Sequence, residues 1–454
     1  MSSSIYTQLV SNLIFPLHER MKRHDTFAIR KSLERSQWWS RDHIERLQYE
    51  KLNRFLNRVY KGVPYYRKIL DRVGMSGGKI NSLKDLERLP YLTKPIVRAN
   101  NEDMKSMEAK GLLKFNTGGS TGEPLVFWLG RERVSHDVAA KWRATRWYGV
   151  DIGDPEIVVW GSPIELAAQD HIRNLRDLVL RTHLLSAFDM SEKKVNQYIG
   201  KIRFVRPRMI FGYPSSINII AAYAEREGAR LDDLGVKVVF VTSEILYEDQ
   251  RERIERVFGC PVANGYGGRD SGFVAHQCPD GGMHIVAEDI IVEIIDVKGN
   301  VLPSGQQGEV VITHLASGDF PFIRYRTGDV AIRSDRTCAC GRGLPLLEEI
   351  KGRSTDFVQA VDGTLMHGLA LIYVIRDIPC IENFKITQES LQSTRVELVT
   401  TVGFASEDIA RIDRGIRERL GQEVNVTIDQ VAHIDRESSG KYRYVVSKVT
   451  GGEH

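Results

Sequence analysis

Between residues 110 and 330, short β-rich runs alternate with helical ones, and this alternation restricts the chain to a mixed α/β body. "EIVVW" (156–160) runs into Gly161-Ser162-Pro163, and "VKVVFVTSEI" (236–245) leads into a charged helix predicted over Glu248–Phe258. "DIIVEIIDVKGNVL" (289–302) has the pattern of a hairpin. Ahead of the alternation, residues 28–70 read as helix. There Leu47, Leu52, Phe55, Leu56 and Val59 recur at helical spacing until Gly62-Val63-Pro64 stops the run. The pattern changes after Gly352. "VELVTTVG", a helix over Ser406–Leu420, "EVNVTID" and "YRYVVSKV" predict a small α+β domain. The expected division is a large α/β N-terminal body over residues 1–352, with a helical N-terminal segment, and a small C-terminal domain over residues 353–454.

Composition narrows the function classes. A net charge of +4 over 454 residues is nearly balanced, and no basic stripe interleaved with aromatics suggests a nucleic-acid partner. No apolar run approaches the roughly 18 residues of a membrane span. The N-terminal "MSSSIYTQLVSNLIFPLHERMKRHD" carries a short apolar patch without a basic region before it, a poor secretory signal, so a cytoplasmic protein is expected. Five cysteines, two of them as Cys338-Ala-Cys340, argue against a disulfide framework and raise the question of a metal.

The richest stretch chemically is "KFNTGGSTGEPLVFW" (114–128), where Thr117, Gly118, Gly119, Ser120, Thr121 and Gly122 follow one another. Glycine accepts dihedrals that other residues cannot, and its exposed N–H groups, beside three hydroxyls, are ready donors to an anion. A glycine-rich surface hairpin is the plain alternative. Glu123 stands where a Walker loop would need lysine, so this is not a Walker P-loop.

Four further stretches follow in a fixed order: "NGYGGRDSG" (264–272), "RYRTGDV" (324–330), "KGRSTDFV" (351–358) and "SSGKYRYVV" (438–446). Together with Thr117–Pro124 they resemble the ordered motifs of the adenylate-forming enzymes. "LNRFLNRVYKGVPYYRKIL" and "FGYPSSINIIAAYA" narrow the likeness to the phenylacetate–coenzyme A ligases and the related capsule-biosynthesis proteins. It covers about residues 40–450, and the Tyr-Gly-x-Arg-acid form at Tyr266–Asp270 suits the capsule-type branch better.

The resemblance implies an α/β fold with a large multi-subdomain body of mixed sheets and helices, plus a small mobile α+β lid. It also implies site roles. Thr117, Gly118, Gly119, Ser120, Thr121 and Gly122 would hold the phosphates of ATP. Tyr266 and Gly267 would meet the adenine, with Ser243 and Glu244 beside it, and Asp329 and Arg353 would hold the ribose. Asp270 would carry Mg²⁺, and Lys441, Asp270 and Arg269 are the catalytic candidates. Three positions depart from the family pattern: Leu125 after the loop proline, Asp270 in place of glutamate, and Thr355 in place of the first hinge acid.

Cys278, His284, Cys338 and Cys340 supply three thiolates and an imidazole, a set suited to tetrahedral structural zinc, with reduced core cysteines as the alternative. Cys260 and Cys380 have no such neighbours and are expected to be buried. His276, His314 and His367 are expected in the core or a pocket. Trp160–Pro163, Phe211–Ser215 and Thr242–Glu244 each follow an apolar run, where α/β sheets place ligands.

The expected reaction is ATP-dependent activation of a small carboxylic acid, aromatic acids included, to an acyl-adenylate, then transfer to coenzyme A. Three alternatives stay open: transfer to an amine in polysaccharide or secondary-metabolite biosynthesis, a nucleotide-binding scaffold without turnover, and a plain zinc-stabilised interaction protein, against which the ordered motifs argue. The oligomeric state is open, a homodimer being admitted.

Overall fold

The computed structural model of the chain describes residues 4–117, 125–160, 171–187, 190–353, 357–363, 365–375, 378–435 and 443–449. Two compact units emerge, a large one mainly of Met1–Thr327 and Ala331–Ile350 and a smaller one mainly of Lys351–Glu437.

The helical stretch expected over residues 28–70 is three helices, Thr26–Ser36, Arg41–Gly62 and Pro64–Arg72. Local chemistry makes both breaks. Ser40 starts the second helix by accepting a hydrogen bond from the His43 N–H, and an extended Val63 precedes Pro64, which opens the third helix where its missing N–H costs nothing. The stripe Ile44, Leu52, Phe55, Leu56 and Val59 is buried in the main core.

Strands β1 (Leu113–Asn116) and β2 (Val126–Leu129) pair antiparallel, Asn116 opposite Val126, and so form the stem of the glycine-rich segment. Next come β3 (Glu156–Trp160), β4 (Thr182–Ser186), β5 (Met209–Gly212), β6 (Val238–Thr242) and β7 (Val262–Gly268). They run parallel in the order β4-β3-β5-β6-β7. The chain then reverses. Strands β8 (Gly272–Gln277), β9 (Met283–Ile285), β10 (Ile290–Ile295), β11 (Gln307–His314), β12 (Tyr325–Ser334) and β13 (Leu346–Arg353) extend the sheet in the order β7-β8-β9-β13-β12-β11-β10. The hairpin expected at 289–302 is closed by a single bridge, Ile295 to Val301, and the long antiparallel partner of β10 is β11.

Two-residue periodicity divides the parallel strands between two faces. Ile157, Val159, Ile210, Val239 and Val241 pack under the helices Glu192–Val205, Pro214–Arg226 and Glu248–Phe258. On the other face Met209, Phe211, Val238 and Phe240 meet the helix Arg131–Arg146 through Ala144. Strand β6 is buried throughout, which is why Val-Val-Phe-Val-Thr reads as an unbroken apolar run.

In the smaller unit β14 (Phe357–Gln359) and β15 (Leu365–His367) form a hairpin. A second sheet joins β16 (Ile381–Ser390), β17 (Ser393–Thr400), β18 (Asn425–Gln430) and β19 (Val445–Ser447) in the order β18-β17-β16-β19. The helix Ser406–Leu420 buries Ile412, Ile416 and Leu420, one face at four-residue spacing. Cys260 is buried as expected; Cys380 is only half-buried, because it sits in the turn before β16 rather than within a strand.

Candidate active site

Four adjacent parallel strands end together. Trp160 closes β3, Gly212 closes β5 and is followed by Tyr213, Thr242 closes β6 and is followed by Ser243-Glu244, and Tyr266-Gly267 lies at the end of β7; Val159 pairs with Gly212, Gly212 with Val241 and Thr242 with Gly265. Open α/β sheets bind ligands at this edge, outside the carboxyl ends of the strands. Gly212 is required there, since a Cβ would lie 2.3 Å from the Val159 carbonyl oxygen. Trp160 and Tyr213 stack with centroids 4.3 Å apart, and Phe211 extends the stack with its centroid 5.7 Å from Trp160. Ser243 stands at φ 71°, a left-handed conformation that costs an L-residue roughly 1–2 kcal/mol. The neighbouring Glu244 accepts a hydrogen bond from the Ser215 N–H (3.2 Å) in the first turn of Pro214–Arg226, where a carboxylate complements the helix dipole. Strained backbone held between a buried strand and such a bond is the pattern of a ligand clamp.

The turn between β7 and β8 carries the remaining acid and base. Tyr266 is buried in the main core, and Gly267 cannot carry a side chain, because its Cβ would stand 2.1 Å from the Gly272 carbonyl oxygen. The Asp270 Oδ2 accepts a hydrogen bond from the Tyr325 hydroxyl at 2.6 Å, and Oδ1 accepts from the Ser271 N–H at 3.1 Å. The Asp270 carbonyl accepts from Arg133 Nη2 (3.2 Å), while Arg133 Nε donates to Asp137 Oδ2 (2.9 Å). Burial would raise the Asp137 carboxyl, yet the Arg133 guanidinium and His314 hold it below the ordinary carboxylate range. His314, 3.6 Å from Asp137, is buried and its pKa falls to about 4. Arg269 Nη1 donates to the Asn116 carbonyl (3.4 Å) at the last residue of β1. The acid turn is thereby tied to the stem of the glycine-rich segment, where Thr117 N donates to the Leu125 carbonyl (3.0 Å) and Leu125 N to Thr117 Oγ1 (3.0 Å). A half-exposed carboxylate with lone pairs to spare, beside an arginine that reaches the stem of the glycine-rich segment, can hold a hard cation and an anion together.

Thr117, Arg269 and Asp270 are therefore joined through Asn116, and Ser243, Glu244 and Tyr266 occupy neighbouring strand ends. Asp329 stands on β12 and Arg353 ends β13; the Arg353 side chain, Gly118–Gly122, Thr355 and Lys441 lie outside the described residues. Sequence reading missed Tyr325, Arg133, Asp137 and Asn116. Tyr325 could have been found, since it sits inside the quoted "RYRTGDV". Arg133 and Asp137 look like a solvated i,i+4 pair on a helix, and only the burial of Arg133 separates them from one.

Among the described residues, one cluster brings Cys278, His284, Cys338 and Cys340 together, their ligand atoms all within 4.8 Å of one another. Cys278 Sγ is 3.6 Å from Cys338 Sγ, and His284 Nε2 is 3.2 Å from Cys340 Sγ. With Zn–S bonds of about 2.3 Å a tetrahedral site has S···S edges near 3.8 Å, so the donor set fits zinc. The Cys278 N–H donates to the Gly282 carbonyl (2.9 Å), and Gly282 must lack a side chain, since its Cβ would come 2.5 Å from Cys338 Sγ. Burial pushes the Cys278 thiol up to about 12 and the His284 imidazole down to about 4. Both are neutral at pH 7 without a cation, and a dication would draw off the thiol proton.

Several known proteins share this architecture. The CapK C-terminal domain family matches residues 358–448. Protein CapK of Staphylococcus aureus is 24% identical over 410 residues, covering 89% of this chain and 89% of that protein. Phenylacetate-coenzyme A ligase of Thermus thermophilus is 23% identical, covering 89% and 97%. Among solved structures, 2-hydroxyisobutyryl-CoA ligase in the postadenylation state in complex with 2-HIB-AMP superposes with a TM-score of 0.70 at 19% identity, covering 89% of each chain. Its likeness is one of fold.

Proposed function

We propose that this chain, which belongs to the adenylate-forming superfamily on the branch of CapK and the phenylacetate–coenzyme A ligases, activates a carboxylic acid with ATP and passes the acyl group to coenzyme A. In the first half-reaction a carboxylate oxygen attacks the α-phosphorus in line, and pyrophosphate leaves with the bridging electron pair. In the second, the thiolate sulfur attacks the acyl carbonyl and AMP leaves. The stacked Trp160 and Tyr213 favour an acid with a flat or apolar body.

The barrier in the first step is the approach of two anions, so the groups that lower it are those that cancel charge. The N–H groups of Gly118–Gly122, with the hydroxyls of Thr117, Ser120 and Thr121, grip the phosphates. Mg²⁺ held through Asp270 would supply further neutralisation. Arg269 and Lys441 complete the positive surround. Ser243, Glu244, Tyr266 and Gly267 hold the adenine, and Asp329 and Arg353 the ribose. Residues 353–454 form the lid that carries Lys441 and withdraws it before the thiol enters. Cys278, His284, Cys338 and Cys340 hold a structural zinc ion.

One observation carries the reading. Three segments more than 50 residues apart, each holding one of the ordered motifs, meet at Asp270: Arg269 bonds to Asn116, and Tyr325 bonds to Asp270. Incubating the protein with MgATP and pooled cell metabolites, then analysing bound small molecules by mass spectrometry, tests it. An acyl-AMP whose acyl group moves to added coenzyme A is the expected result. Failure to find any adenylate or released AMP would sink the reading, and consumption of the adenylate only by amines would assign the other acceptor.

A further inference from the structure

Residues Ile5–Met21 form one continuous helical rod whose outer face carries a line of exposed apolar side chains. Ile5, Leu9, Leu13, Leu17 and Met21, at strict four-residue spacing, are each between 46% and 88% exposed. An α-helix turns 100° per residue, so a four-residue step overshoots by about 40° and such a line should wind off its face. Here a π-turn over Val10–Ile14 intervenes, with the Phe15 N–H bonded to the Val10 carbonyl. Its cause is local: Pro16 cannot donate to the residue 12 carbonyl and its ring crowds that group, so the turn before it widens. The wider turn takes up part of the drift and keeps the five side chains in one line. The inner face is fixed to the body. Thr7 Oγ1 donates to Asp154 Oδ1 at 2.8 Å, and Phe15 meets Trp142 edge-on at 5.2 Å. Through the Tyr6 hydroxyl, bonded to the Val179 carbonyl (2.8 Å), the rod is tied to the helix His171–Leu180, which exposes Leu175 and Leu178 as well.

The exposed charges between Ile5 and His24 have one sign. Arg20, Lys22 and Arg23 are exposed where the rod ends, and its only acid, Glu19, is buried and bonded to Thr26 Oγ1 at 2.6 Å; the next acid, Asp25, begins the following helix. We propose that this face docks on an anionic lipid surface, with the leucine line in the acyl boundary and Arg20, Lys22 and Arg23 among the headgroups. The helix lies on the bilayer rather than through it, since among the described residues no helix is long and apolar enough to cross. Charge decides the occupant. A second copy of the chain would bring the same three bases and no exposed acid from this helix, whereas a layer of anionic headgroups supplies the missing sign.

Co-sedimentation of the full chain with vesicles of phosphatidylcholine alone, and with phosphatidylglycerol added, reads the proposal independently of any enzymatic activity. The wild type should partition into the anionic vesicles and much less into the neutral ones. Leu13→Asp with Leu17→Asp should cut partitioning at least tenfold, and changing Arg20, Lys22 and Arg23 to Gln should weaken it on the order of fivefold per base. Because the aspartate pair could disturb folding, a Leu13→Trp reporter gives a second reading: its fluorescence should shift to the blue on adding anionic vesicles only. Equal partitioning into both vesicle types would overturn the proposal. So would a soluble dimer, seen by sedimentation, that ignores vesicles and is broken by the aspartate pair, since the face would then belong to a second copy.

Discussion

The Asp270 carboxylate accepts hydrogen bonds from the Ser271 N–H of its own turn and from the Tyr325 phenol, so its direction is set partly from outside that turn. Asp270→Asn should lower the adenylation rate on the order of 100-fold, through loss of the charge proposed to hold the phosphate counter-ion. Tyr325→Phe removes one hydrogen bond to an ionised acceptor, worth roughly 1.5–3 kcal/mol, and should cost about 10- to 100-fold in kcat/KM for MgATP. Initial rates of acid-dependent pyrophosphate release, with circular dichroism as the folding control, check both substitutions; an active Tyr325→Phe enzyme with normal KM would remove Tyr325 from the site. Nearby, His314 is held neutral by burial down to about pH 4. The unfolded chain takes up that proton near pH 6.5, so between about 6.5 and 4 the unfolded state binds more protons. Stability is then complete above this window and falls as the pH drops through it, by up to about 1.4 kcal/mol per unit. Urea midpoints at several pH values should fall with acid, and His314→Gln should flatten the slope.

Elements differ in how much of them local sequence determines. The helices Glu248–Phe258 and Ser406–Leu420 have the ends expected from their residues, because acidic first turns and a following glycine mark them locally: Gly259 at φ 61° after the first, Gly421 after the second. The three helices between Thr26 and Arg72 could not be separated by apolar spacing alone, since the Trp38-Trp39-Ser40 break carries no glycine or proline. The Cys/His cluster was legible as donor chemistry but not as geometry, because Cys278 and His284 flank the turn from β8 to β9 while Cys338 and Cys340 follow β12, and only sheet order brings them together. Purified protein should carry about one zinc per chain by elemental analysis, and zinc uptake by the metal-free form should release protons, since the Cys278 thiol is protonated at pH 7 without it. Cys338→Ser should lower the melting temperature by several degrees. Gly282→Ala should do so too, by driving a methyl group into the Cys338 sulfur. A metal-free protein of unchanged stability would refute the site.

At the scale of the whole molecule, the α/β body and the following α+β unit were readable from the change in periodicity after Gly352, and the order of the motifs was readable from the chain itself. Their meeting was not. That Arg269 touches Asn116, 153 positions away, depends on a sheet that turns from parallel to antiparallel at β7, and no local pattern encodes which strand end faces which loop. The Arg133–Asp137–His314 group beneath the acid turn, in which Arg133 and His314 are buried and Asp137 partly so, is likewise a product of packing, since each member alone looks like an ordinary surface or core residue. On the function proposed above, these separated motifs grip a single nucleotide and drive acid activation. Exchange of labelled pyrophosphate into ATP, measured across a panel of aliphatic and aromatic carboxylic acids, tests it most directly. Exchange should depend on the presence of a particular acid and collapse in Asp270→Asn. Tight ATP binding with no exchange for any acid would contradict that function.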